Sequence, residues 1–389
     1  MVLEKGRITD EGIAELKNRI GSNFSGDYLF THNKVMTRQA IAHWCDSIGD
    51  YDNQLYRDEE YAKTTRFGNI IAPPCSLSSV YLITGMRAGG LPGVHSFHAG
   101  WDWLWLKPVM INDLITCTYR PVDIVEKVSE FARRTVIIYA EGVYRNQRDE
   151  TVAKCIGWSI RAERGAASDK GKYREVKVHQ IDQEQQKYIE ECYEKEEVRG
   201  AKTRYWEDVK AGDELPSLIK GPLSIGDMNA WLGGIGRGGQ SHGFRLSALR
   251  RHPDWGWQNP ETGARETVGS GVHGQDKASK GIAIPVAYDL GCQRNSWVSQ
   301  VLTNWMGDDG WLKTLYCEYR LFNVFGDIQW IRGKVTNKRV EDGEHLVDCE
   351  VWSENQRGEI TAPARGTVVL PSRSAEPAAR QINSEQAME

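Results

Sequence analysis

The chain has 389 residues, 40% of them hydrophobic and 26% charged, a globular balance with room for two or three domains and a full core. A formal net charge of −4 and a pI near 6.2 exclude any general attraction to polyanions, so a small molecule is the expected partner and nucleic acid is not. The eight cysteines stand singly, which excludes a close zinc-binding pair or a redox dithiol and fits reduced thiols in a cytoplasm.

The N-terminal stretch from Met1 to Ile20 spreads Glu4, Lys5, Arg7, Asp10, Glu11, Glu15 and Lys17 over every turn and leaves no apolar centre for a signal peptide. No later stretch approaches the roughly 18 apolar residues of a membrane span. The expected location is therefore the cytoplasm, with no membrane partner. Next, Gly68 to Pro74 leads into an apolar run from Ser76 to Met86, read as a long helix. Strand-like, β-branched runs follow at Thr116 to Val122, Thr135 to Tyr144 and Val152 to Ile160. Fourteen tryptophans, several of them in Trp101 to Trp105, point to large aromatic cores.

From Val178 to Gly200 the composition turns to Gln, Glu and Lys, with Ile181, Tyr188, Ile189 and Tyr193 near helical spacing, as in a solvated connecting helix. Beyond it the pattern of the first half returns. Gly281 to Pro285 leads into a helical run through Trp297 and Leu302, and strand-like segments follow at Ile328 to Val335, Leu346 to Trp352 and Thr361 to Leu370. Leu106 to Val109, Asn112-Asp113 and Asn146-Gln147-Arg148 match Leu321 to Val324, Gly326-Asp327 and Asn355-Gln356-Arg357, in the same order and about 210 residues apart. The expected domains are residues 1–170, a linker helix within 171–200, residues 201–371 and a disordered tail at 372–389. Short turns between strands favour antiparallel pairing, with one helix covering each sheet. The fold class is α+β, a double hot-dog of two helix-wrapped antiparallel sheets.

Gly49-Asp50-Tyr51-Asp52-Asn53-Gln54-Leu55-Tyr56-Arg57-Asp58, followed by Tyr61-Ala62 and Gly68 to Pro74, resembles the N-terminal half of MaoC-like acyl dehydratases, the family of (R)-specific enoyl-CoA hydratases. Tyr205 to Asp213 resembles the start of a second such domain. Tyr288 to Gly291, Gln293-Arg294 and Trp305 to Gly310 are similar to the C-terminal half of two-domain members. The resemblance implies a hydratase or dehydratase acting on an enoyl or 3-hydroxyacyl thioester, an acyl-CoA, without metal or other cofactor. In the family an Asp and a His five residues apart activate one water, because a neutral imidazole can take its proton while the carboxylate orients it. A backbone N–H at the start of the central helix polarises the thioester carbonyl.

The sequence departs from that pattern in both halves. In the first, Tyr56 stands where the hydratases have His, and one extra residue leaves either Asp50 or Asp52 as the matching carboxylate. In the second, His273 and His242 compete for the base, each without an Asp five residues before it, and Asp276 and Asp289 are the nearest candidates. Each has a plainer reading: the aspartates shape Asx turns, Asp276 caps a helix, Pro73-Pro74 stiffens a helix start, and the histidines are solvated. The resemblance implies acyl-binding roles for Tyr56, Pro73, Tyr288 and Asp289. The insertion from Gly233 to Ser270 is expected to cover the mouth of one acyl pocket, with Trp255 or Trp257 as an aromatic wall. A non-catalytic acyl-thioester-binding subunit and a hot-dog thioesterase are the alternative functions, and a homodimer is allowed.

Overall fold

The computed structural model describes residues 6–24, 33–89, 91–129, 133–163, 178–236, 242–251, 253, 256–267, 271–280, 284 and 286–374. The first half contributes strands β1 (His95–Trp105), β2 (Thr116–Ser129), β3 (Arg133–Arg145) and β4 (Thr151–Ala162). The second contributes β5 (Glu214–Lys220), a small hairpin of β6 (Gly256–Gln258) and β7 (Arg265–Thr267), then β8 (Trp311–Glu318), β9 (Gln329–Glu341), β10 (Glu344–Asn355) and β11 (Ile360–Val369). The strand runs read from the sequence fall within these elements, except that Ile328 precedes β9 and Leu370 follows β11 by one residue each. Tight turns join them as expected; Asp342 and Gly343, with φ of 51° and 80°, link β9 to β10 in the left-handed conformation a two-residue hairpin needs.

The two expected sheets are one. Among the described residues the order is β2-β3-β4-β1-β8-β11-β10-β9-β5, with β1 and β8 pairing from Gly100 opposite Glu318 to Leu104 opposite Thr314. Joining the halves edge to edge pairs the backbone groups of what would otherwise be two exposed edge strands.

The helices are α1 (Asp10–Lys17), α2 (Arg38–Ile48), α3 (Glu59–Thr64), α4 (Leu77–Val80), α5 (Gln183–Glu194), α6 (Ile225–Gly234), α7 (His242–Arg251), α8 (Asp276–Lys280) and α9 (Gly291–Met306). Helix α5 lies in the expected linker and starts with a capping box between Asp182 and Gln185. The expected disordered tail lies, from residue 375 onward, outside the described residues.

Helix α9 is the core of the molecule. Every residue from Cys292 to Met306 is buried. The apolar residues Trp297, Val298, Val301, Leu302 and Trp305 follow helical spacing, and Leu302 rests on Gly366 of β11. Polar residues of α9 meet the first half: Gln300 Nε2 donates to the Gly49 carbonyl at 3.3 Å, and Asn295 Nδ2 lies 3.2 Å from Cys75 Sγ.

The matching helix of the first half does not extend from Ser76 to Met86. After a tight turn at Pro74–Ser76, α4 runs only from Leu77 to Val80, and Tyr81 is already extended at φ −153° and ψ 124°. Tyr81, Ile83 and Thr84 are aromatic or β-branched, types that lose side-chain freedom in a helix. The extended segment is clamped on the sheet: the Tyr144 hydroxyl donates to Tyr81 O at 2.6 Å and the Trp101 indole donates to Ile83 O. A Cβ on Gly157 of β4 would meet that Ile83 oxygen at 2.2 Å, so only glycine allows this approach. Helix α1 covers the remainder through Ile13 and Leu16, packed with Ala88, Leu91, Val94, Ile124, Val136 and Ile138.

The repeated sequence marks are repeated structure. Asp113 Oδ2 accepts from Met110 N–H and its Oδ1 from Gln147 Nε2; Asp327 does the same with Val324 N–H and Gln356 Nε2. Asn146 and Asn355 each close their hairpin by accepting from the N–H two residues on.

Candidate functional site

Two stations carry candidate side chains, one at the C-terminal end of α2 and one ahead of α9. In the first half, Thr37 caps α2 and Gly49 ends it in the left-handed conformation at φ 69°, turning the chain inward at Asp50. Asp50 is 2% exposed and its Oδ1 has no hydrogen-bond partner. Burial pushes its carboxyl up to about 6, against the pull of the Lys220 and Arg57 charges. Lys220, also buried, sets its ammonium 3.5 Å from the Gly49 carbonyl and 3.8 Å from Glu196, and burial lowers its pKa. Asp52 is exposed.

Beside this station, a narrow cleft of about 520 Å³, counting the open space at its mouth, separates the halves. Its first-half wall includes Asn53, Leu55, Tyr56, Phe67, Pro73 and Leu77; Thr303, Met306 and Trp311 stand opposite, and Trp105 lines it too. Trp105 Nε1 donates to Pro74 O at 2.9 Å, fixing one aromatic wall. Tyr56 is buried, and burial together with the Asp50 charge holds its phenol well above the usual range, so at neutral pH it stays protonated and is no base. Asn53 is 3% exposed, and its Oδ1 has no partner.

In the second half, His273 precedes α8 and is half-buried. Its Nδ1 lies 2.8 Å from the Tyr288 carbonyl oxygen, and its ring packs edge-on to Tyr288 at 4.8 Å. A carbonyl can only accept, so Nδ1 carries a proton, and in the neutral ring Nε2 is then the acceptor nitrogen. Tyr288 is three residues ahead of α9, whose N-cap, Leu290, offers no side-chain cap to the helix N-terminus. Asp289 and Arg294 form a buried ion pair, Nε to Oδ2 2.7 Å, and Arg294 also donates to Leu321 O and Thr361 O. Asp276 is exposed and ties the loop by accepting from Ala287 N–H at 2.8 Å. His242 is exposed at the first position of α7. Trp257 packs half-buried on the cluster of Val272, Ala278 and Tyr288, whereas Trp255 lies outside the described residues.

His273 and Asp50 are not brought together. They face opposite ends of α9, near Gly291 and Gln300, a separation of about 14 Å along the axis. Two further groups gave no signal in the sequence. His98 of β1 is packed between Trp101 and Tyr319, each 5.0 Å away, with Nε2 3.2 Å from Gly100 O; burial lowers its pKa to about 3, so it stays neutral. The Tyr319 ring lies against Gly291, the first residue of α9, and its buried hydroxyl has no partner. Among the described residues no three His, Cys, Asp or Glu side chains group as metal ligands, and no helix is long and apolar enough to cross a membrane.

Residues 20–155 match the family described as FAS1-like, dehydratase domain region. No curated protein matches the sequence. Among solved structures, the chain is similar to a MaoC-like dehydratase at 15% identity and TM-score 0.64, over 92% of this chain and 100% of that one. A MaoC-like dehydratase from Phytophthora capsici matches at 11% identity and TM-score 0.50, over 92% and 99%. A Mycobacterium tuberculosis protein described as a double hot-dog matches at 10% identity and TM-score 0.52, over 94% and 96%. The chain therefore has the double hot-dog fold, as its sequence suggested.

Proposed function

We propose that this double hot-dog chain is a hydro-lyase that adds or removes water across the 2,3 bond of an enoyl or 3-hydroxyacyl thioester, an acyl-CoA, with His273 as its base. One observation carries the reading: the bond from His273 Nδ1 to the Tyr288 carbonyl leaves Nε2 as acceptor just ahead of the buried sixteen-residue helix α9. In hydration, Nε2 takes a proton from water and the hydroxide oxygen bonds to Cβ. The π electrons shift toward the thioester oxygen, whose growing charge the N-terminus of α9 stabilises. The imidazolium then returns the proton to Cα, and the reverse sequence is dehydration. Because Asp289 is engaged by Arg294, His273 is asked to serve both proton transfers.

The purified chain is incubated with a panel of enoyl-CoAs while the enoyl-thioester absorbance is followed. His273→Ala should lower turnover by about 100-fold or more with the melting temperature unchanged, and His242→Ala should leave it intact. Undiminished turnover in His273→Ala refutes this assignment. The absence of an Asp five residues before His273 in the sequence favours one second reading, an acyl-thioester-binding subunit, which predicts binding with no loss of absorbance; release of free thiol would instead mark a thioesterase.

A further inference from the structure

The arginines around α1 each have an acid partner: Arg7 pairs with Glu163, Arg19 with Glu15, and Arg134 with Asp10 and Glu126. Arg161 of β4, which bonds the segment that α1 covers, differs from them. It is 9% exposed and has no ion pair among the described residues. Its Nη2 donates to Met86 O at 2.7 Å and its Nη1 to Val94 O at 3.4 Å, tying the two ends of that segment. These carbonyls engage two N–H groups but bring no negative charge, and Arg161 Nε has no partner. Burial lowers the guanidinium pKa to about 10, so it stays charged at neutral pH. A charge taken out of water without an opposite one is costly, and a water molecule supplies a dipole, not a counter-charge.

Polar neighbours on the same face of the sheet are also unengaged. Ser96 of β1 stands opposite Arg161 in register, and Ser159, two residues before Arg161 on β4, stands opposite His98. Ser96 Oγ and Ser159 Oγ are buried atoms without hydrogen bonds. Ser96 and His98 are only half-buried, which leaves the group open to solvent near the start of β1. The free Nε–H lies beside Nη2 in the planar guanidinium, and that fork matches the two oxygens of a carboxylate. We propose that Arg161, Ser96 and Ser159 form a binding site for a carboxylate group, separate from the His273 station. The carboxylate comes either from a free short-chain acid or from the far end of the acyl group in the proposed reaction; the second source rests on the thioester reading. That source has a route, since His98 packs on Tyr319 and the Tyr319 ring lies against Gly291 at the start of α9. Two strand spacings, about 10 Å, separate β4 from β8, a span that a medium-chain acyl group crosses.

Thermal unfolding in millimolar sodium butyrate, against sodium chloride at equal ionic strength, reads the free source. The melting temperature of the parent should rise with butyrate, and that of Arg161→Met should not. For the acyl source, calorimetric titration of the His273→Ala chain compares suberyl-CoA, which ends in a carboxylate, with octanoyl-CoA, which does not. Suberyl-CoA should bind about tenfold or more tightly if the site receives the acyl end, and adding Arg161→Met should erase the difference. A butyrate effect with equal affinity for the two thioesters assigns the site to a free acid. Ser96→Ala should weaken whichever ligand binds by about fivefold, so the test does not depend on the folding of Arg161→Met. No butyrate effect together with equal thioester affinities overturns the proposal, and so does an effect that persists in Arg161→Met. The butyrate measurement involves no turnover, so its outcome is independent of whether His273 is the base.

Discussion

Asp50→Asn isolates the electrostatic cost of the buried station between the halves. Burial raises the carboxyl from 3.8 to about 6 even with Lys220 and Arg57 nearby. The folded chain therefore holds this proton more tightly than the unfolded chain does. The resulting stabilisation is fully present below about pH 4 and is lost as pH rises through about 6. A rise of about two units, at about 1.4 kcal/mol each, amounts to about 3 kcal/mol. Asn is the uncharged isostere, so the variant should be more stable than the parent by about 3 kcal/mol at pH 7 and equal to it near pH 4. Lys220 keeps Glu196 at 3.8 Å in the variant, so its ammonium is not left without a counter-charge. Urea unfolding followed by tryptophan fluorescence, at intervals from pH 4 to 7.5, gives both profiles. Parallel profiles for the two chains would refute the reasoning, because the difference is expected only where Asp50 ionises.

Two other substitutions separate packing from pairing. Arg294→Met removes one partner of the buried pair with Asp289 and leaves the Leu321 and Thr361 carbonyls without their donor; a loss of about 3–5 kcal/mol is expected, read as a lowered urea midpoint. Gly157→Ala drives a methyl into the Ile83 carbonyl, and the melting temperature should fall by an amount corresponding to about 1–3 kcal/mol. Gly243→Ala, where nothing lies within 4 Å of the added carbon, is the matched control and should show no such fall.

The parts of the fold that could be read from sequence are those whose bonds are local. Asn146 and Asn355 bond within their own hairpins, so their mark survives in the chain as a short repeated string. The strands show themselves through β-branching, and α5 through its charge and the spacing of Tyr188, Ile189 and Tyr193. The foreshortened α4 could not be foreseen from apolarity alone. What holds the segment from Tyr81 to Ile83 on the sheet is Trp101, Tyr144 and Gly157, which lie outside it in sequence. The pairing of α2 with α6, through Trp44 and Trp231 at 5.0 Å, was hidden because the insertion after α6 shifts the second copy out of register with the other repeated marks. At the site, His273 stood out as a polar residue ahead of a helix. Asn53, Lys220 and His98 owe their burial to the fold around them, which no local pattern announces.

The difference between the halves follows from how α9 is buried. A helix packed on one sheet needs one apolar stripe, yet α9 is enclosed on every side and carries Gln300 and Asn295 toward the first half. It thereby covers part of both halves of the continuous sheet, including β1. The first half is relieved of the need for a full helix of its own. Its chain instead runs extended along Gly157, and α1 closes the far end. Each helix start still opens toward the other half, but only one belongs to a helix long enough to concentrate a dipole, since α4 has four residues and α9 sixteen. In the proposed reaction, stabilising a developing oxyanion therefore falls to the end of α9 that adjoins His273.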